Sequence, residues 1–194
     1  MVSDTDDETL AKALIVDDQK EVADAYALRL QGLCSVETVY DGEAALATVE
    51  DSTVDVVLLD RHMPGMSGDE VLSELTGRGF DGRVIMVTAI DPGFDVLDMP
   101  FDDYLCKPVD REDIRTAVTQ QCTILGYEML GEYFSVESKR AVIEAEIPEG
   151  KRQDHQQYLD IERKAAQLAH RIHRLLDDPH ELFEAFEAID REGR

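Results

Sequence analysis

The sequence predicts an α/β chain: a five-stranded parallel, doubly wound sheet followed by an all-helical extension. Three observations carry this. Short apolar runs recur between residues 13 and 106, and a helical pattern follows each. Such alternation makes neighbouring strands parallel, with the helices as crossovers. The third run, Val54 to Leu59, is apolar almost throughout, as a central strand covered on both faces must be. After about Leu125 the pattern changes to a 3-4 spacing of apolar residues, the mark of helices that pack through a narrow seam.

The elements follow in order. Residues 1–12 are polar and acidic and read as a disordered tail. Ala13 to Val16 is a buried strand that ends on Asp17 and Asp18, and Val22 to Leu30 supplies a helix. Ser35 to Val39 is the second strand. Asp41-Gly42 turns the chain and caps a helix from Glu43 to Glu50. Ser67 caps a further helix that stops near Gly77 to Gly79. Arg83 to Thr88 and Asp102 to Cys106 are the fourth and fifth strands, and a helix starts after Pro108. This assigns residues 13–124 to the sheet domain and 125–194 to the extension.

The net charge of −24 on 194 residues is the oddest bulk feature. Two readings fit. In the cytoplasm of a halophile, salt screens the self-repulsion and carboxylates keep the surface hydrated. Alternatively, the acidity recruits a basic partner. The acids are spread along the whole chain, which favours the first. Wide contact with nucleic acid is disfavoured either way, because phosphates would meet a negative surface. No run approaches the ~20 apolar residues of a membrane span, and the N-terminus lacks the regions of a signal peptide. A cytoplasmic location with no membrane partner is expected. Cys34, Cys106 and Cys122 are odd in number and far apart, as reduced thiols are.

In an open parallel sheet, ligands bind beyond the carboxyl ends of the strands, where the strand order reverses. That rule selects Asp17, Asp18, Asp60, Thr88 and Lys107. In a sheet of order 2-1-3-4-5 the first and third strands are neighbours, so three carboxylates crowd together. They repel one another unless a cation sits between them. An oxygen-only ligand set suits Mg²⁺ or Mn²⁺. The plainer alternative is a set of solvated turn carboxylates. A carboxylate beside such an ion can accept a phosphoryl group as a nucleophile. The transition state then needs flanking positive charge and donors, for which Lys107 and Thr88 are placed. Each is weak evidence alone; their value lies in falling together.

IVDD at Ile15, LLDRHMPGMSG from Leu58, VTA at Val87 and CKP at Cys106 together resemble the receiver domain of two-component response regulators. The likeness covers roughly residues 13–122 and implies a flavodoxin-like sheet of order 2-1-3-4-5. It also implies that Asp60 is the phosphoacceptor, served by a sensor histidine kinase. Asp18 would bind Mg²⁺ directly, Asp17 mainly through water, and the backbone carbonyl of His62 would be a further ligand. Thr88 would move to bond the phosphoryl group, Lys107 would pair with it, and Tyr104 would be the switch aromatic. For Tyr104, simple packing on the last helix of the sheet domain is the alternative. Only self-phosphorylation and autodephosphorylation are implied, so an enzyme in the ordinary sense is not expected.

Three departures stand out. His62 occupies a position that tunes autodephosphorylation in the family; its simplest reading is that it is tolerated, because its carbonyl does the metal work. The segment from Ala89 to Asp103 is short by about one helical turn, with Pro92 and Pro100 bracketing it. The fourth helix of a receiver should here be a stub or irregular, and the family's usual dimer cannot be carried over. Cys106 replaces an apolar residue and is expected as a buried thiol.

In the extension, Leu125 to Ile147 is helical and has no Ser- or Pro-rich linker before it, so the last receiver helix should run straight on. Pro148-Glu149-Gly150 breaks it. Tyr158, Ile161, Ala165, Leu168, Ile172 and Leu175 form an apolar seam, and Leu182, Phe183, Phe186 and Ile189 a short final segment. Two seamed helices joined by a turn make an antiparallel hairpin. EYFSVESKRAVIEAE, from Glu132, resembles the HalX domain found after receivers in haloarchaeal regulators. No helix-turn-helix pattern with a basic reading face appears. Lys151 to Leu176 is nevertheless locally basic, with six Lys and Arg against three acids. Those charges serve either as ion-pair partners of an acidic helix or as a docking face.

The leading functional expectation is a phosphorylation-controlled switch whose helical module acts by association, with a homodimer or a downstream protein. A DNA-binding transcriptional regulator that reads with the basic helix is the alternative. Nothing in 125–194 resembles an output active site.

Overall fold

The computed structural model describes residues 10–188. Five parallel strands form one sheet of order β2-β1-β3-β4-β5. They are β1 (Ala11–Val16), β2 (Cys34–Val39), β3 (Val56–Leu59), β4 (Arg83–Thr88) and β5 (Asp103–Cys106). The helices between them are α1 (Lys20–Leu30), α2 (Gly42–Asp51) and α3 (Gly68–Gly77). A five-residue 3-10 segment, Phe94–Asp98, stands between β4 and β5 where a receiver would have a full helix. Only fourteen residues separate Thr88 from Asp103, and Pro92 and Pro100 are among them, which leaves room for this stub in place of a full helix.

The central strands are buried on both faces. Leu14, Val16, Val56, Val57, Leu59, Ile85 and Met86 have essentially no exposure. Leu14, Val16, Val57, Leu59 and Met86 pack with Leu46, Val71, Leu72 and Leu75 from α2 and α3. The helix starts are set by local chemistry. Asp41 accepts a hydrogen bond from the Ala44 amide at 2.8 Å. Ser67 and Glu70 form a reciprocal capping box at the head of α3. This satisfies amide groups that a helix otherwise leaves without partners.

Ala11 and Lys12 belong to β1, paired with Cys34 and Ser35 of β2. The expected tail is therefore shorter than 1–12; the rest of it, residues 1–9, lies outside the described residues. The strand expected from Val54 begins at Val56, although Val54 and Asp55 are buried. Cys106 is exposed, against the buried thiol expected, while Cys34 and Cys122 are buried. It ends an edge strand, where only one neighbour covers it. Burial pushes the Cys34 thiol up to about 12.

The chain divides into two compact units between Leu125 and Gly126. That boundary falls inside a single helix, α4 (Arg111–Glu146). In the second unit follow α5 (Glu149–Arg152), α6 (Gln156–Leu175) and α7 (His180–Glu187). The expected Pro-Gly break is real at Ile147, but Glu149-Gly150 open the short α5 rather than a bare turn. The C-terminal half of α4 and α6 run antiparallel. Tyr158 donates to Glu144 at 2.6 Å at one end, and Gly126 meets Leu176 at the other. A Cβ on Gly126 would lie 2.6 Å from Leu176 Cδ2, so this helical glycine is a packing site. Along the α6 seam Tyr158, Ala165, Leu168, Ile172 and Leu175 are buried, with Ile161 only half-buried. Phe134 stacks on Phe186, with centroids 4.4 Å apart, and Phe183 meets Tyr133 edge-on. Ile189 lies outside the described residues. No helix among the described residues is long and apolar enough to cross a membrane.

The Ser67 box predicts a local stability effect. Ser67→Ala should lower stability by about 1 kcal/mol, measured as a reduced urea midpoint for the first unit with the far-UV spectrum unchanged.

Candidate functional site

The parallel register brings the ends of four strands to one level. Val16 pairs with Leu59, and Leu59 with Met86; Thr88 pairs with Cys106. The ladder continues past the strand ends. The Asp60 amide donates to the Val16 carbonyl at 2.9 Å, and the Lys107 amide to the Thr88 carbonyl at 2.8 Å. Each apolar strand thus delivers the next residue, Asp17, Asp60 or Lys107, to a common surface. The Lys107–Pro108 peptide is cis.

Asp17, Asp18 and Asp60 come together there, with carboxylate oxygens within 4.8 Å of one another. Asp17 and Asp60 are 2% and 4% exposed; Asp18 is half-buried. Lys107 reaches both buried acids. Its Nζ lies 2.6 Å from Asp17 Oδ2 and 3.3 Å from Asp60 Oδ2. Burial alone would push its ammonium down, but the two carboxylates outweigh this and hold it above the ordinary lysine value. Asp17 Oδ1 accepts from the Gln19 amide at 2.9 Å. Asp18 Oδ1 is buried with no hydrogen-bond partner among the described residues.

These observations test the fit of a divalent cation. Three carboxylates face one ammonium, which leaves two negative charges uncompensated in a partly dehydrated site. A buried carboxylate oxygen without a donor is costly unless something positive meets it. Hard oxygen donors suit Mg²⁺ or Mn²⁺. The residues present fit such an ion.

Thr88 is 1% exposed, at the end of β4. Its Oγ1 accepts from the Ile90 amide at 3.4 Å. Tyr104 Oη donates to the Ile90 carbonyl at 2.8 Å, and its ring lies 5.5 Å from that of Phe101. Burial raises the Tyr104 phenol, and Arg61 partly offsets this. The residues expected as switch partners are therefore linked through one backbone residue, Ile90. His62 is exposed in the loop after β3, and Met63 beside it is buried in the core.

Two residues of this region are not singled out by the sequence reading. A Cβ on Gly68 would lie 2.2 Å from the Asp60 carbonyl oxygen, and the Gly68 amide donates to the Arg61 carbonyl at 2.9 Å. Glycine lets the head of α3 close over the end of β3. The only signal was its place in the SG pair before a helical pattern. The second is Arg61. Its guanidinium grips both oxygens of Asp69 and bonds Asp95 at 2.7 Å. Those bonds, Asp69 first and then Asp95, raise its already high pKa. An arginine after a strand is ordinary in sequence; only the fold shows which acids it meets.

The site is thus an acidic cluster with one lysine at the strand ends of a doubly wound parallel sheet. Residues 13–119 match the model of the response regulator receiver domain, and the chain belongs to that family. Residues 123–190 match the HalX domain. A Haloferax volcanii protein named "Putative transcriptional regulator" is 46% identical over 134 residues, 68% of this chain and 23% of its own length. The sensory transduction protein RegX3 of Mycolicibacterium smegmatis is 41% identical over 110 residues, 54% of this chain and 47% of its own. The chain thus spans under half the length of these relatives. Among solved structures, a CheY-like receiver from Methanospirillum hungatei covers 61% of this chain and 98% of its own, at 26% identity and a TM-score of 0.57. The DrrB receiver domain covers 57% and 96%, at 29% identity and a TM-score of 0.53. The haloarchaeal relative agrees with the dispersed acidity of the chain.

The Lys107 geometry sets an alkaline limit. Its pKa is raised above the unfolded value of about 10.4. Its stabilisation is therefore complete below that value and lost as pH rises through the folded one. With divalent cations removed, wild type should exceed Lys107→Met in urea midpoint at pH 9, and the gap should narrow by pH 11.

Proposed function

We propose that this chain is a two-component response regulator in which Asp60 accepts a phosphoryl group from a sensor histidine kinase. The observation that carries the reading is the buried carboxylate cluster with Lys107 Nζ between Asp17 and Asp60. An Asp60 carboxylate oxygen attacks phosphorus, and the bond from phosphorus to the donor nitrogen or oxygen breaks with its electron pair leaving on the donor. Lys107 faces the oxygens on which charge accumulates, and Thr88 offers a hydroxyl from the neighbouring strand end. Asp17, Asp18, Asp60 and the His62 carbonyl would hold Mg²⁺ or Mn²⁺. That ion supplies electrostatic stabilisation of the transferring group. Acting on itself alone, the chain catalyses only its own phosphorylation and dephosphorylation.

The acyl phosphate adds about two negative charges in place of one carboxylate charge. That change biases the Thr88, Ile90 and Tyr104 linkage, the switch element of this reading. The helical module of residues 125–194 is then an association unit, pairing with a second copy or with a downstream protein in the cytoplasm.

The alternative is a transcriptional regulator that reads DNA with α6. The name of the Haloferax relative favours it. Against it, Arg163 pairs with Asp160 and Lys164 with Glu132, so part of the basic face is already committed. Binding to promoter DNA at molar salt that is lost in Arg171→Ala/Arg174→Ala would establish the alternative.

With acetyl phosphate as donor, the wild-type chain should take up label only with Mg²⁺ or Mn²⁺ present. Asp60→Asn should take up none. Equal labelling of the two proteins would show that another residue is the acceptor.

A further inference from the structure

The first part of the stretch between β4 and β5 is thinly anchored, while Met99 and Phe101 at its end pack against the core. None of residues 89–101 is buried. The large apolar side chains of its 3-10 segment face solvent, Phe94 92% and Leu97 77% exposed. Inside the segment the hydrogen bonds are local, from Val96 to Gly93 and from Met99 to Val96. Besides the bond from the Ile90 amide to Thr88 Oγ1, two side-chain ties among the described residues reach residues 90–98. One is the bond from Tyr104 Oη to the Ile90 carbonyl. The other is the ion pair of Asp95 with Arg61.

The second tie is built for holding. Arg61 directly follows Asp60, and its side chain is 15% exposed. Three bonds of 2.9–3.1 Å fix the guanidinium on Asp69. Asp69 sits in the first turn of α3, where a carboxylate is favoured by the helix dipole. A bidentate arginine held this way is a preorganised donor, and its Nη2 presents one further bond, to Asp95.

We propose that Arg61 is a positioning residue that clamps the segment leaving Thr88 onto the start of α3. Through that clamp it sets the resistance Thr88 meets when it shifts toward a phosphorylated Asp60. Thr88 cannot shift alone: its hydroxyl accepts from the Ile90 amide, and Ile90 is tied to Tyr104 and leads into the segment that Asp95 holds. Releasing Asp95 leaves Arg61 seated on Asp69, so the carboxylate cluster keeps its geometry while the segment loosens. The rate aspect of this inference rests on Asp60 as the phosphoacceptor; the holding aspect does not.

The experiment uses the full chain as wild type, Asp95→Asn, Arg61→Met, the double variant and Asp95→Glu. Hydrogen exchange is followed in residues 89–99, without phosphodonor, against β1 and β3 as internal references. Asp95→Asn should speed exchange of 89–99 by about threefold, within what a partly exposed ion pair can shift. The reference strands should be unchanged. The double variant should be no faster than Arg61→Met, because Arg61→Met already removes the bond to Asp95 along with those to Asp69, and Asp95→Glu should be close to wild type. The initial rate of labelling by acetyl phosphate should rise by a similar factor in Asp95→Asn, with the same Mg²⁺ dependence. If wild type labels and Asp95→Asn matches it in both exchange and rate, the clamp is wrong. If wild type takes no label, the site reading fails, and the exchange comparison alone decides whether Arg61 holds the segment. Should Arg61→Met not fold, Asp95→Asn, altered at an exposed carboxylate, still decides.

Discussion

Three carboxylates gathered at adjacent strand ends repel one another, and the first unit is arranged around containing that repulsion. The sheet forces the crowding, because Val16 and Leu59 are register partners and the acids follow them directly. Lys107 enters from the far side of β4 and neutralises part of the charge. Its backbone is held there by the Thr88 carbonyl, so the counter-charge is delivered by the same ladder that creates the need for it. The residual charge at Asp18, whose Oδ1 is buried without a donor among the described residues, is the feature that a cation would fit.

Containment of charge also explains what surrounds the cluster. Gly68 lets α3 close tightly over the end of β3, which places a capped helix start and Asp69 beside the loop. Arg61 then bridges that helix to the segment after β4. The strands under the site are buried on both faces, so the core there is close-packed. The variable part is confined to the thinly anchored stretch between β4 and β5. A stiff floor with one loosely held wall is an arrangement in which a local charge change can move something without melting the fold.

Much of this was legible in the residues. The strand pattern and helix caps follow from apolar runs, turn residues and the Asp41 and Ser67 side chains, and the strand order from the resemblance to receivers. The stub between β4 and β5 follows from counting residues between Thr88 and Tyr104. The acids, Thr88 and Lys107 could be named because strand ends are where open parallel sheets put their chemistry. What stayed hidden has a common cause: it depends on distances between elements far apart in sequence. Arg61 meets Asp95 across 34 positions, and Gly126 meets Leu176 across fifty; neither contact has a periodic signal. Cys106 differs for another reason: the expected order already makes β5 an edge, and the family's apolar residue at that position says nothing of which face its side chain takes.

That exposed sulfur has a practical consequence. The chain contains no tryptophan, so it lacks a bright intrinsic reporter. Of its three thiols, two are shielded in the interior and one faces solvent beside Lys107. A maleimide dye or nitroxide would therefore attach at a single natural position, one residue from the charge cluster. The native chain carries its own spectroscopic attachment point beside the carboxylate cluster.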